Sequence, residues 1–400
     1  GYPDRRRCPT GRAARTATVR SPLTDPSFAP DSDSSSPELS RVAAAESEAF
    51  RYDVDAVLES WFQDQRTVAD GISEAAGPMV EAIAGLSTGG KRTRAQLLYW
   101  SWRAAGGDAD SRIPRLAGAG IELFQTAALI HDDIIDRSAT RRGMRSIHVL
   151  FADRHRDSGW SQDSAHFGTS AAILAGDLAL TWSEQIFGEA VALAGHPAGA
   201  AADFTRMRTE VMLGQYLDIH AEVAAQTLPP DKAIERAFEV LRYKSAKYSA
   251  EHPAALGALL AAAPSSFVEA CRGFALPLGE AFQIRDDVLG VFGDPVTTGK
   301  PAGDDLREGK RTVLIGQHLR DAEPQDAQLV ARALGDQSLD DAQIEDLREA
   351  LRRSGALQRT EQIVDELSQR TEQALAQMRI EDLPRAGLQQ MADALVRRSR

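Results

Sequence analysis

The chain has 400 residues, 43% hydrophobic and 26% charged, with a formal net charge of −12. That acidity argues against a general nucleic-acid binder. Its two cysteines, Cys8 and Cys271, build no disulfide framework, and without a CxxC pair they make no zinc site.

The length allows two or three average domains or one large helical domain of about 350 residues. No apolar run reaches the span of about 18 residues that a membrane helix needs. The best candidate, Ala171 to Trp182, is broken by Asp177.

Residues 1–24 carry six arginines and one acid, Asp4. They lack an apolar core, so they are no secretory signal. A transit peptide fits by composition. The reading taken is a disordered tail over 1–40, rich in Arg, Pro, Ser and Asp, because such a stretch buries too little surface to order itself. From about residue 41 to 400 the pattern is helix after helix. Alanine is abundant, β-branched runs are scarce, and apolar residues recur at three and four, as at Ile121, Phe124, Ala128 and Ile135. Two stretches read as loops: the polar, aperiodic 152–166 and the Gly/Pro-rich 293–303. No solenoid repeat is present. An acidic pair after an apolar stretch does recur, at Asp132-Asp133 and at Asp286-Asp287.

Asp132 and Asp136 are four apart, so on a helix both carboxylates project from one face. Like charges at that spacing repel unless a cation sits between them, and clustered oxygen ligands suit Mg²⁺ with substrate phosphates. Alone, the pattern equally fits a solvated acidic face. A second copy at Asp286-Asp287 weakens that alternative, since two facing acidic helices can hold several Mg²⁺ ions around one diphosphate. Basic residues complement them. Gly89-Gly90-Lys91-Arg92-Thr93-Arg94 pairs glycines, which let backbone amides approach an anion, with cations that neutralise it. Arg141-Arg142-Gly143 follows the first acidic motif, and Lys244 and Lys247 lie one helical turn apart. Two Gly-Lys steps, ending at Lys300 and Lys310, punctuate a flexible loop. Acids for metal and bases for phosphate suggest a site for two diphosphates.

Over residues 50–395 the chain resembles the trans-polyprenyl diphosphate synthases, motif by motif and in order: GGKRTR, HDDIID, RRG, GQYLD, KS, FQIRDD and GKPAGDDLREGKRT. The last stretch is most similar to actinobacterial geranylgeranyl-type enzymes. The resemblance implies an all-α bundle of long helices around a central cavity, in a cytoplasmic homodimer. It implies that Asp132, Asp136 and Asp286 bind Mg²⁺, three ions per site, with Asp133 and Asp287 supporting. By the same resemblance Arg141, Lys244, Ser245, Gln283 and Lys300 hold the allylic diphosphate, with Gln215 and Asp218 nearby. Lys91, Arg94, Gln125 and Arg142 hold isopentenyl diphosphate, and Lys310 is a further diphosphate contact. Three departures stand out: Gly290 replaces the last aspartate of the second motif, Ala95 replaces a frequent proline, and Gln125 replaces a frequent histidine.

The implied chemistry is ionisation of the allylic C–O bond, attack by the isopentenyl double bond, and loss of a proton, with charge drawn off the leaving diphosphate. Tyr216 and Phe282 are aromatic candidates beside the cation, or core residues. A terpene cyclase also uses such acids, but it leaves GGKRTR without a role. A non-catalytic subunit of a heteromeric synthase is expected to lose the acidic motifs kept here. Ala128 and Ala127, four and five residues before Asp132, are too small to stop chain growth, whereas Phe124 lies about one turn deeper. One helical turn, about 5.4 Å, matches one isoprene unit, so a C20 product is expected. Trp182 is the alternative floor, and shorter or longer products are the alternatives.

Overall fold

The computed structural model describes residues 37–224, 227, 229–293 and 303–396, and these are helical almost throughout. They fall within one compact unit, Ser35–Arg400. The all-α expectation is met. Helix α1 (Pro37–Ile72) begins earlier than the composition suggested, inside the segment read as tail. Proline suits a first turn, where its missing N–H has no partner to lose. The rest of that tail lies outside the described residues.

Helix α1 buries Phe50, Val54, Leu58 and Phe62 at four-residue intervals. After α2 (Gly77–Ser87) and α3 (Thr93–Ala104) comes α4 (Arg112–Ile135), which starts on Ser111, whose hydroxyl accepts the Ile113 N–H. Helix α4 runs through the main core, where Ile121, Leu123 and Phe124 are buried. A small antiparallel hairpin follows, β1 (Thr140–Arg141) and β2 (Met144–Arg145), with Thr140 opposite Arg145. Its two turn residues, Arg142 and Gly143, both have positive φ, 54° and 76°. Tight hairpins require this of their central pair.

Helices α5 (Ile147–Asp157), α6 (Ser164–Leu193) and α7 (Ala200–Ala224) come next. The loop expected over 152–166 is therefore corrected: only 158–163 connects the two helices. Ile147, Phe151 and His155 form a buried stripe on α5, with the His155 ring against Trp160 and Phe167 and its Nε2 2.9 Å from the Ser161 carbonyl. A histidine used as a core residue hides the period in a polar-looking sequence.

One continuous rod then combines α8 (Ala233–Val240), a π-helical segment (Leu241–Glu251) and α9 (His252–Leu260). Helix α10 (Ser265–Phe292) lies alongside it. Residues 294–302, most of the second expected loop, lie outside the described residues. The C-terminal helices are α11 (Asp304–Glu308), α12 (Val313–Asp321), α13 (Pro324–Ala333), α14 (Asp341–Arg353), α15 (Ala356–Gln377) and α16 (Asp382–Val396). Leu306, Leu314, Ile315, Val330, Ile344 and Leu347 give that region a second core.

The π-helical segment is gripped by backbone on two sides. A Cβ at Gly214 of α7 would come within 2.3 Å of the Lys244 nitrogen, and one at Gly279 of α10 within 2.5 Å of the Ala246 carbonyl oxygen. Only glycine permits such approach. Gly279→Ala is therefore expected to destabilise the fold by about 1–3 kcal/mol through overpacking. Gly273→Ala on the same helix, where a Cβ meets nothing within 4 Å, is expected to be neutral or slightly stabilising. Urea denaturation of the two variants checks the contrast; equal midpoints would contradict it.

Candidate active site

A cavity of about 1000 Å³ opens between α4, α7, the π-helical rod and α10. Asp132 and Asp136 line it from α4, and Asp286, Asp287 and Gln283 line it from α10. The two acidic motifs thus share one cavity, as their recurrence suggested.

Asp132 and Asp133 of α4 have specific counterparts. Gln215 Nε2 donates to Asp132 Oδ1 at 3.1 Å, and Arg141 Nη2 lies 3.4 Å from Asp132 Oδ2. Lys244 Nζ pairs with Asp218 and lies 4.0 Å from Asp132 Oδ1. Burial opposes the charge on Lys244, but Asp218 and Asp132 outweigh it and raise its pKa. Asp133 takes a different place. It is 1% exposed and turned from the cavity, where Arg141 Nε donates to its Oδ1 at 2.8 Å. It anchors Arg141 and does not face the space between the acidic helices.

On the α10 side, Gln283 Nε2 donates to Asp287 Oδ1 at 2.9 Å. Lys310 Nζ lies 3.0 Å from Asp305 and 2.8 Å from Glu308. Those acids overcome its burial and raise its pKa well above the usual value. Gly290, where an aspartate was the expected pattern, leaves room that the Asp305 carboxylate fills, 1.8 Å from where a Cβ would stand. Ser245 and Lys310 line the cavity, whereas Lys300 lies outside the described residues.

The second basic set lines the same cavity through Lys91, Arg94, Gln125 and Arg142. Arg94 Nη2 donates to Ser249 Oγ at 2.8 Å and stacks over the Tyr248 ring at 4.3 Å. Arg142 donates to the Leu86 carbonyl at 3.2 Å; burial lowers its pKa, partly offset by Glu122. Among the described residues the buried Gln125 Oε1 has no hydrogen-bond partner. A partly desolvated cationic set is suited to an anion.

Several expectations are corrected. Tyr216 is neither beside the cavity nor in the core: it is 62% exposed on the outer face of α7. Phe282 does line the cavity. Lys244 and Lys247 do not share a face, because Lys247 pairs with Glu210 and Glu251 behind the cavity. Trp182 packs edge-on to Phe62, with ring centroids 6.2 Å apart, and is not among the cavity-lining residues. Sequence reasoning missed Tyr248, which is buried, lines the cavity, and packs edge-on to Phe124 with centroids 5.7 Å apart. Its four-residue spacing from Lys244 was the available signal.

The acids fit a divalent cation. Asp287 is desolvated by the surrounding protein and repelled by Asp305, which pushes its pKa up to about 7. Asp136 stands at the cavity mouth, and partial desolvation followed by repulsion from Asp132 raises it to about 6. Such carboxyls lack positive charge. Among the described residues no three acid or histidine side chains converge tightly enough to hold an ion alone, so water or substrate oxygens would complete any coordination, as suits Mg²⁺.

This geometry has counterparts among known proteins. The polyprenyl synthetase family profile matches residues 79–351, and the chain belongs to that family. A geranylgeranyl diphosphate synthase of Sulfolobus acidocaldarius is 34% identical over 256 residues, 63% of this chain and 70% of that one. A (2E,6E)-farnesyl diphosphate synthase of Mycobacterium tuberculosis is 33% identical over 226 residues, 56% of each. Among solved structures, a geranylgeranyl pyrophosphate synthase from Corynebacterium glutamicum, complexed with isoprenyl diphosphate and magnesium, is 35% identical. It aligns with a TM-score of 0.80 over 88% of this chain and 99% of that one.

The raised carboxyls set a pH dependence for the cation-free protein. A carboxyl whose folded pKa exceeds its unfolded value contributes stability that is complete below the unfolded value of about 4 and is lost as pH rises to the folded one. For Asp287 the window runs up to about 7. In EDTA the melting temperature is expected to fall by roughly a few degrees between pH 5 and 8, and Asp287→Asn should flatten that slope. Parallel slopes for the two proteins would contradict the assignment.

Proposed function

We propose that the protein joins isopentenyl diphosphate head-to-tail to allylic diphosphates of five to fifteen carbons and releases mainly geranylgeranyl diphosphate. The observation that carries this reading is that two basic sets and both acidic motifs line one cavity. Family membership and the solved relatives support the same prenyl transfer.

In this reading Lys244, Arg141 and Gln283 grip the allylic diphosphate, with Gln215 and Asp218 holding Asp132 and Lys244 in place. Lys300 and Lys310 add to that grip. Lys91, Arg94, Gln125 and Arg142 hold isopentenyl diphosphate with its double bond toward the allylic carbon. Asp132, Asp136 and Asp286 would hold Mg²⁺, three ions in this proposal, supported by Asp287. An ion held by these carboxylates would supply positive charge to the leaving diphosphate. The cationic side chains stabilise the same developing charge from fixed positions, which minimises reorganisation during ionisation. The released diphosphate is the base for the final proton. A terpene cyclase would need only the allylic half of this site.

Phe124 sets the length. Asp132, Ala128 and Phe124 follow one another at four-residue intervals, so Phe124 lies about 12 Å along the axis from Asp132. Ala128 and Ala127 leave that path open, and Tyr248 braces the Phe124 ring from the opposite wall. Labelled isopentenyl diphosphate, incubated with allylic primers and Mg²⁺, is expected to enter a C20 product and to be inert in EDTA. Asp132→Ala should cut turnover on the order of 10³-fold. Ala128→Phe should shorten the product to C15, and Phe124→Ala should lengthen it. Unchanged chain lengths in both variants would remove this wall as the ruler. Absence of any elongation would remove the reading itself.

The same reading includes a cytoplasmic homodimer. Leu174 on α6 and Leu213 and Tyr216 on α7 are 61%, 59% and 62% exposed, large apolar side chains suited to burial against a second copy. No helix among the described residues is long and apolar enough to cross a membrane. Cys271, a buried free thiol, suits a reducing compartment. Light scattering is expected to give twice the chain mass, and Leu213→Glu to halve it.

A further inference from the structure

Behind the cavity, on the far side of the rod from Asp132, lies a buried charge cluster that the proposed chemistry leaves unused. His252, the first residue of α9, is 1% exposed. Its Nδ1 lies 2.9 Å from Asp203 Oδ2 and its Nε2 lies 2.9 Å from Glu210 Oε2. Both acids are on α7. Arg272 of α10 donates to Asp203 Oδ1 at 2.6 Å and lies 3.4 Å from Glu251 Oε1. Lys247 Nζ lies 3.1 Å from Glu210 and 3.5 Å from Glu251. Glu269, which also approaches Arg272 at 3.4 Å, is 72% exposed and solvated.

A neutral imidazole can donate from only one nitrogen. With carboxylate oxygens at hydrogen-bond distance from both, a neutral ring would aim a lone pair at one of them. The charges agree: Asp203, Glu210 and Glu251 outnumber Lys247 and Arg272 by one, and a protonated His252 makes the cluster neutral. Burial alone pushes Asp203 and Glu210 up, yet His252 together with Arg272 or Lys247 holds both below the usual carboxylate range.

We infer that His252 is a positioning residue that acts as a buried imidazolium, clamping α7 to the rod so that Gln215 and Asp218 stay in register with Lys244. Gly214 explains the reach of the effect. It is the point where α7 touches the Lys244 backbone, with Glu210 one turn before it and Asp218 one turn after it on the same helix. Loosening the clamp lets α7 pivot about that contact, and the residues that move are those that set Asp132 and Lys244. Lys91 and Arg142 sit on other elements, and Arg94 is held by Ser249 and Tyr248 of the rod and not by α7, the helix that moves.

The charge role separates from a packing role by neutralisation. His252→Gln leaves the cluster one negative charge in excess. It is expected to lower the melting temperature by roughly 5 °C or more. The kinetic arm rests on the prenyl-transfer reading: KM for the allylic substrate should rise on the order of tenfold, with KM for isopentenyl diphosphate nearly unchanged. Adding Glu210→Gln restores neutrality, and the double variant should recover most of both losses. A double variant less stable than His252→Gln would overturn the inference, as would a single variant with unchanged melting. Because the single variant could fail to fold, the wild-type protein gives a further readout. With ¹⁵N-labelled histidine at pH 7.5, both His252 ring nitrogens should carry a proton, and a neutral tautomer would overturn the inference outright. The melting and NMR arms need no turnover, so failure of the prenyl-transfer reading would leave them standing.

Discussion

Mutual repulsion among carboxylates is the constraint around which this fold is arranged. Asp132, Asp136, Asp286 and Asp287 share one cavity, where reduced screening makes like charges costly. They cannot be brought together by their own interactions, so the scaffold has to hold them. The long α4 and α10 do this as rigid rods. Fixed cations temper the repulsion at the edges: Lys244 between Asp132 and Asp218, Arg141 over Asp133, Lys310 between Asp305 and Glu308. The remaining shortage of positive charge in the centre is what makes the cavity receptive to a cation and a diphosphate together.

The two cores divide the labour. The larger one, around Leu123, Phe187 and Phe274, fixes the helices that carry the acids and the deep floor. The smaller one, around Leu306, Ile315 and Leu347, supports the segment that delivers Lys310. The acidic helices and the segment that carries Lys310 are thus stabilised separately. This suits a site that has to admit one charged substrate and retain another.

Much of this was legible in the sequence because the chemistry is written in short local spacings. Two carboxylates four apart on an apolar helix project together whatever the rest of the chain does, and both motifs reached the same cavity. Glycines before Lys91 and beside Arg142 marked where backbone bends to present cations. What failed to show was direction and register. Tyr216 adjoins Gln215 in sequence but leaves the helix on its outer face. His155 disguised the end of α5 as loop because a histidine was filling a core position. Tyr248 carried no motif of its own and became visible only once its ring lay between Arg94 and Phe124. Asp133 and Asp132 are neighbours in the chain, yet one faces inward to Arg141 and the other toward the acids across the cavity.

The π-helical segment has a consequence for how the second half of the chain is phased. Its wider turn, closed by i→i+5 hydrogen bonds, takes more residues to complete a revolution, so Lys247 stops further short of the Lys244 face than it would on an α-turn. Two lysines written three apart therefore serve opposite sides of one rod, Lys244 the cavity and Lys247 the buried cluster. The segment behaves as a built-in phase offset. An α-helix turns about 100° per residue and the wider turn less, so a change in the segment's length at fixed winding would change the angle at which α9 leaves it. His252 would then leave its two carboxylates while every downstream side chain kept its identity. The length of this stretch, to the residue, is as much a part of the site as any of the side chains that line it.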